Sequence, residues 1–545
     1  MVLPIALSLA SALLGALALP NELFLQGAWP LGFCALAPLY IVLKSCEKPG
    51  RAALLGAIYG GLHHSLSSYW LYFYRGFAFW TLGSTTIAYA AIYAVAATYA
   101  QFLLSGKNRA YRPFVFALGW TVLEYFKSIG FLGYPWGLIP YSLSSLPLLL
   151  QIADITGVYG LSFLLALSSA IVAEWSENPG FGAEKLRRGA FFLVLLSLCL
   201  AYGLYSMQRT IPVKSEFKAL LVQQNTDPLV AGEAAALRSN VELTKKALAE
   251  DSFGAAPPDL DLIVFSENSL RRPLDDFRQW YSRNPPEEPL LPFLAETGIP
   301  LLTGSPIVLD WDTYEATNSV ILVSPEGEVL DSYAKIHPVP FAEAIPFWEY
   351  QWFRNFMRNT VGLESGWIMG TEYRVFDLRL RSSPGKILRF STPICFEDAF
   401  AELCRRYFLQ GADLLINLTN DSWSRTRSAQ IQHWAIARFR AIENRRTLVR
   451  STNSGVSCVV DPWGRSLVEL PQFEAGTMLV RVPVYADSGL SVYGRFGDWF
   501  ALLCLLLLVF AAVLNYRGIL GAPDLYESDV PEQRHPVSLA ERRKQ

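Results

Sequence analysis

Three short segments of this chain carry side chains able to do chemistry. Leu262-Ile263-Val264-Phe265 leads into Ser266, Glu267 and Asn268. Tyr333-Ala334 leads into Lys335, and Glu343 follows eight residues later. Ser391-Thr392-Pro393-Ile394 leads into Cys395, Phe396, Glu397 and Asp398. An apolar strand ending on a reactive residue holds that residue on a rigid element. A thiol, a carboxylate and an ammonium together are the equipment of nucleophilic catalysis. A free thiol has a pKa of about 8.5 and needs a base or a nearby cation to supply thiolate near neutrality. A glutamate in an apolar site can be raised toward that range and accept the proton. Singly, each residue has a plainer reading: a strand-end Glu is commonly solvated, and a strand-end Cys is commonly a small buried apolar residue.

The elements that must position these groups fall into two kinds. The chain has 545 residues, 52% hydrophobic and only 17% charged, with mean hydropathy +0.25. Soluble domains carry about 25% charged residues, which excludes a disordered chain and argues against a wholly soluble one, so a membrane protein is expected. A net charge of −2 gives no electrostatic case for nucleic-acid binding. The seven cysteines form no CxxC pair, which argues against a zinc ribbon or a disulfide scaffold, and no cofactor or metal is expected.

Residues 1–209 read as seven apolar runs, each near the ~20 residues that cross a bilayer, at 2–20, 27–44, 52–73, 77–104, 112–129, 147–174 and 189–208. The first lacks Lys or Arg ahead of it and is followed at once by another span, so it reads as an uncleaved helix. Residues 216–490 read as a globular domain of short strands punctuated by Pro, Gly, Asn and Asp. Trp499–Leu514, within 495–516, reads as an eighth span, and 517–545 as a polar tail. Lys44, Lys48, Arg51, Lys107, Arg109, Arg112, Lys185, Arg187 and Arg188 fall in alternate connections, and the tail after Arg517 joins that set. By the positive-inside rule these connections and both termini are cytoplasmic, and the globular domain lies outside, in the periplasm of a bacterium.

In this order and at these intervals, Glu267, Lys335 and Cys395 resemble the Glu-Lys-Cys triad of the nitrilase, or carbon–nitrogen hydrolase, superfamily. The resemblance implies an α-β-β-α sandwich, with Glu267 as general base, Lys335 as oxyanion stabiliser and Cys395 as nucleophile. It extends to Asn417–Trp423, Gln432–Arg446, Arg450–Gly455 and Arg495–Asp498. Such a domain inserted between spans seven and eight is similar to the apolipoprotein N-acyltransferase family. That implies a bacterial inner-membrane enzyme, expected as a monomer. It takes an acyl chain from a membrane phospholipid through a Cys thioester and passes it to the N-terminal amine of a diacylglyceryl-cysteine lipoprotein. The rival expectation is a membrane-anchored amidase or nitrilase that hydrolyses its acyl-enzyme. The chain departs from the family pattern at Ser266, Asn268, Pro338, Ala342, Ala344 and Phe396. Glu343 matches a carboxylate the family uses beside the triad or reads as a partner of Lys335, and Glu397 is a further supporting candidate.

Cys395 with His433 suggests a papain-like dyad, but His433 lies in a helix-like stretch with no orienting Asn evident. Asn417-Leu418-Thr419 matches a glycosylation triplet by coincidence within a turn. Between Pro346 and Trp367 stand Trp348, Tyr350, Trp352, Phe353, Phe356 and Trp367, with Arg354 and Arg358 among them. Rings mixed with Arg suit a headgroup interface, and the stretch reads as an arm over the active site that dips into the outer leaflet.

Overall fold

The computed structural model describes residues 2–74, 79–105, 111–177, 182–249, 259–313, 315–362, 366–486 and 489–517. Lys107, Arg109, residues 363–365 of the aromatic stretch and the tail beyond 517 lie outside the described residues.

The N-terminal region is helical: α1 (Val2–Ala18), α2 (Ala37–Ser45), α3 (Pro49–Ser67), α4 (Ser84–Leu104), α5 (Arg112–Ser128), α6 (Tyr159–Glu177) and α7 (Ala183–Gln208). Among the described residues four helices are long and apolar enough to cross a membrane. They are Trp80–Leu104, which takes in a π-helical turn ahead of α4, then Tyr159–Glu177, Ala183–Gln208 and Trp499–Tyr516. Val2–Ala18 and Trp29–Ser45 are apolar but shorter. The run read as one span over 147–174 is interrupted. Short helices Pro147–Leu150 and Ala153–Thr156 precede a turn at Gly157, and the long helix starts only at Tyr159. The physical reason is Gln151 and Asp154, polar groups inside an apolar run, which are spent on Arg445 of the globular domain. Arg445 Nη1 donates to Gln151 Oε1 at 2.7 Å, and its Nη2 lies 2.8 Å from Asp154 Oδ2.

The globular region contains two six-stranded mixed sheets. The first runs β12-β1-β2-β3-β4-β5, built from β1 (Val213–Gln223), β2 (Leu262–Val264), β3 (Leu301–Asp310), β4 (Glu315–Val323), β5 (Val329–Ala334) and β12 (Gly476–Tyr485). The second runs β11-β10-β9-β8-β7-β6, from β6 (Phe376–Arg379), β7 (Ile387–Ser391), β8 (Leu414–Thr419), β9 (Leu448–Thr452), β10 (Cys458–Val460) and β11 (Ser466–Glu469). In each sheet the central pairs are parallel: β1–β2 and β2–β3 in one, β7–β8 and β8–β9 in the other.

Side chains alternate across a strand, and here the alternation separates two cores. Ala219, Leu221, Leu262, Val264 and Leu302 join Ile416, Val449 and Val482 between the sheets. Leu220, Val222, Ile263 and Leu301 face outward onto Leu237 and Val241 of α8 (Glu233–Ala249). On the far side of the second sheet lie α9 (Ala401–Leu409) and α10 (Arg427–Asn444), which completes the α-β-β-α sandwich.

The outer layer of such a sandwich normally has a wet face. α10 does not: Ser428–Gln430 and Gln432–Asn444 are all buried. The connections between N-terminal helices cover it. The Ser428 N–H donates to Glu22 Oε1 at 2.8 Å, Trp70 Nε1 to Gln432 Oε1 at 3.1 Å, and Arg438 Nη1 to the Ser144 carbonyl at 2.6 Å. At the opposite end of the bundle, Lys44 Nζ and Arg188 Nη1 share Glu174, at 3.1 and 3.4 Å. The last helix, α11 (Trp499–Tyr516), leaves the globular region and packs beside α5 through Cys504 and Leu508.

Candidate active site

Glu267, Lys335 and Cys395 meet where β2, β5 and β7 end. β2 delivers Glu267, which is 3% exposed, and a tight neighbour keeps it in place: a Cβ at Gly304 on β3 would stand 2.5 Å from the Asn268 nitrogen and 2.9 Å from the Glu267 Cα. Only glycine lets the strands approach so closely. Glu267 Oε1 accepts from Asn318 Nδ2 at 3.0 Å and lies 3.5 Å from Lys335 Nζ; its Oε2 accepts from the Asn420 N–H at 2.9 Å. Burial raises the Glu267 pKa, while Lys335 works against that rise.

Lys335 is 2% exposed and lies between two carboxylates, its second and closer contact being Glu343 at 2.8 Å. Burial disfavours its charge, but Glu343 and Glu267 outweigh burial and raise its pKa above the ordinary lysine value, so it stays an ammonium. Asn318 bridges the two acids by donating also to Glu343 Oε1 at 3.0 Å, and the Val339 N–H donates to Glu343 Oε2 at 2.7 Å.

Cys395 follows β7 in a left-handed conformation, φ +49°, which costs a non-glycine residue of order 1–3 kcal/mol and persists only where the surroundings impose it. Asn417 of β8 imposes it, donating through Nδ2 to the carbonyls of Pro393 and Cys395 at 3.0 and 3.2 Å. The thiol pKa is pushed well up by burial and by Glu267, with Lys335 acting against them. Burial therefore favours the neutral thiol.

Glu397 stands back from this trio. Its Oε1 accepts from Tyr333 OH at 2.8 Å and from the N–H groups of Ile336 and His337 at 2.7 and 2.9 Å; Oε2 accepts from the Ile394 N–H at 2.7 Å. One carboxyl thus ties the Lys335 segment to the residue before Cys395. Burial holds its pKa up at about 7. His433 is engaged elsewhere as well, Nε2 with Asp398 at 2.8 Å and Nδ1 with Asp421 at 3.0 Å, and Arg450 pairs with Asp398 beside it. Asn417 is fully buried.

Two contributors escape a reading of the sequence. Asn318 sits mid-strand with no motif around it; a polar amide just ahead of the apolar run Val320–Val323 is the available signal. Trp136, from the connection after α5, stacks on Phe396 at 5.2 Å and 8°, so the membrane region supplies a wall beside Cys395. The aromatic stretch, anticipated as an arm, starts just past Glu343, and the N–H groups of Gly366 and Trp367 return to the Glu343 carbonyl, both at 3.1 Å. Its short helix Gln351–Phe356 buries no residue, and Trp352 is 71% exposed.

Comparison with known proteins bears on the whole of this arrangement. Residues 11–171 match the family model described as the apolipoprotein N-acyltransferase N-terminal domain, and residues 218–486 match that of the carbon-nitrogen hydrolases. Apolipoprotein N-acyltransferase 2 of Treponema denticola is 39% identical, over 93% of this chain and 96% of its own length. The chain belongs to the apolipoprotein N-acyltransferase family. Similar proteins of that name occur in Borreliella burgdorferi, 33% identical over 90% of this chain and 91% of the relative, and in Geobacter metallireducens, 30% identical over 94% and 95%. As a family member it is a membrane-associated acyltransferase of lipoprotein biosynthesis, carrying a nitrilase-type catalytic fold behind a helical N-terminal region.

Proposed function

We propose that the chain moves an acyl chain from a membrane phospholipid, through a thioester on Cys395, to the N-terminal amine of a diacylglyceryl-cysteine lipoprotein. The observation that carries this reading is the buried trio itself: thiol, carboxylate and a lysine kept cationic by two acids. Cys395 attacks the ester carbonyl as Glu267 takes the thiol proton. Lys335 stabilises the oxyanion, and Glu267 returns the proton to the departing lysophospholipid. In the second half the lipoprotein amine, whose pKa is about 8 and which is partly neutral at pH 7, attacks the thioester; Glu267 takes the amine proton and passes it to the leaving thiolate. Glu343 holds Lys335 in place and charged, and Glu397 is a positioning residue that fixes the distance between the Lys335 segment and the nucleophile turn.

The reading extends to location. Charge-poor connections meet the globular domain, whereas Lys44 and Arg188 gather at the far end. That supports eight spans divided as 1–209 and 495–516, a periplasmic catalytic domain at 216–490, and cytoplasmic termini in a bacterial inner membrane. Both substrates are lipids, whose withdrawal from the bilayer costs ~0.8 kcal/mol per methylene.

Mass spectrometry tests the mechanism. With phospholipid and no acceptor, the protein accumulates an acyl adduct on Cys395; a lipoprotein with a free amine discharges it and one with a blocked amine does not. Cys395→Ala forms no adduct. Glu267→Gln slows its formation by ~10²–10⁴, the usual worth of a general base, and Lys335→Ala by about 10²–10³. Discharge by water at the rate seen with amine would make the enzyme a hydrolase instead, and substantial transfer by Cys395→Ala would remove the mechanism.

A further inference from the structure

Behind the nucleophile turn stands a second buried cluster, Asp398, Asp421, His433 and Arg450, that takes no part in the chemistry described above. Its members come from four elements: the helical turn Cys395–Ala399, the turn after β8, the middle of α10, and β9. His433 joins the first two. Its Nε2 lies 2.8 Å from Asp398 Oδ1, and its Nδ1 lies 3.0 Å from both oxygens of Asp421. A carboxylate only accepts, so both ring nitrogens must donate, which the imidazolium alone can do. Burial and Arg450 oppose that charge, and Asp421 and Asp398 prevail. Arg450 holds the other oxygen of Asp398. It faces Asp421 as well, but its Nη2 is 3.8 Å away, beyond hydrogen-bond reach.

What the two acids are attached to gives this contact its meaning. Asp398 lies in the same turn as Cys395, three residues on. Asp421 follows Asn420, whose N–H donates to Glu267 Oε2 at 2.9 Å. One imidazolium therefore ties the turn that carries the thiol to the turn that grips the carboxylate. Asn417 holds the first of these turns, and Asn453, donating to Asn420 Oδ1 at 3.1 Å, holds the second. His433 reaches both. It is itself firmly seated, because its neighbour Gln432 donates to the carbonyls of Pro20 and Ser67 at 2.8 and 3.0 Å, and the Trp136 ring lies 5.4 Å from the imidazole.

Proton transfer between heavy atoms needs them within hydrogen-bond reach, and a small misplacement is costly. We propose that His433 is a positioning residue for acyl transfer: clamped between Asp398 and Asp421, it sets the distance across which Glu267 takes the Cys395 proton. This rests on the reading that Cys395 is the nucleophile and Glu267 its base.

Full-length protein in detergent tests it, with acylation of Cys395 by a soluble p-nitrophenyl ester read as a maximal rate and a half-saturating concentration. His433→Gln offers one donor where the imidazolium offers two, and should lower the maximal rate about 10- to 100-fold with half-saturation little changed. Asp421→Ala cuts only the link to the Glu267 side and should cost about as much. Because both act through one clamp, the double variant should be no slower than the slower single one. Asp421→Asn returns an oxygen to the reach of Nδ1 and should recover most of the rate. Arg445→Gln, which breaks a buried ion pair just past the end of α10 and touches neither turn, should lower the unfolding midpoint yet keep the rate within about twofold. Losses that multiply in the double variant, or a rate that falls in Arg445→Gln as far as in His433→Gln, would reduce His433 to a packing residue and overturn the proposal. So would an unchanged rate in His433→Gln. If His433→Gln does not fold, equal rates in Asp421→Ala and Asp421→Asn would overturn it in the same way. Failure of wild type to form any adduct on Cys395 would instead remove the reading on which the clamp depends.

Discussion

At the scale of single residues, burial favours the neutral thiol of Cys395, while Glu343 and Glu267 keep the buried Lys335 charged. Glu397 shows how much rests on a group away from the reacting atoms. Its oxygens accept from both sides, and an amide cannot accept through its nitrogen. Glu397→Gln should therefore loosen the Cys395 turn from Ile336 and His337 and slow acylation by up to ~10²-fold, the cost of small misplacement. The thermal unfolding midpoint in detergent should barely move; a comparable collapse of both would make Glu397 a folding residue. His433 gives a pH prediction with a definite sign. Burial opposes its charge, but Asp421 and Asp398 prevail against burial and Arg450 and hold its pKa up at about 9, from 6.5. A raised histidine pKa adds stability that is complete below the unfolded value and is lost as pH climbs through the folded one. Unfolding midpoints should fall between pH 6.5 and 9, by an amount equivalent to roughly 3 kcal/mol. His433→Gln should flatten that slope, and an unchanged slope would show that His433 does not carry it.

At the scale of elements, the sequence reveals strand ends better than it reveals what closes around them. Glu267 is legible because it follows the apolar run Leu262–Phe265, a strong strand signal, and Lys335 and Cys395 are legible by the order and intervals at which they follow it. Asn318 is not legible, since a bridging amide has no spacing rule. Nor is the break in 147–174: hydropathy averages over Gln151 and Asp154, and only the position of Arg445 shows that they face a partner. Trp136 escapes for a related reason, being about 260 residues from Phe396 along the chain, a separation that a local pattern does not span. The aromatic arm is legible in composition, and its exposed Phe347, Tyr350, Trp352 and Phe356 fit a segment that meets lipid. Replacing Trp348, Trp352 and Phe353 together with Ser should slow acylation by lipid in bilayers and spare the reaction of Cys395 with a small soluble electrophile. Equal losses in both assays would place the arm in the core.

At the scale of the whole molecule, two regions share one site. Membrane-impermeant thiol reagents applied to spheroplasts should reach single cysteines placed within 230–480 and miss those placed at 107 or 530; labelling of both sets from one side would end the eight-span topology. The covered helix α10 also bears on how the protein is made. Its buried residues meet Glu22, Trp70 and Ser144, and Arg445 just past its end meets Gln151, all encoded before the catalytic domain. Chains fold from the N-terminus during synthesis at about 5–20 residues per second, so the ribosome finishes the seat for α10 many seconds before α10 leaves the exit tunnel. The helical region is then a mould, already set in the lipid when the catalytic domain arrives to be cast against it.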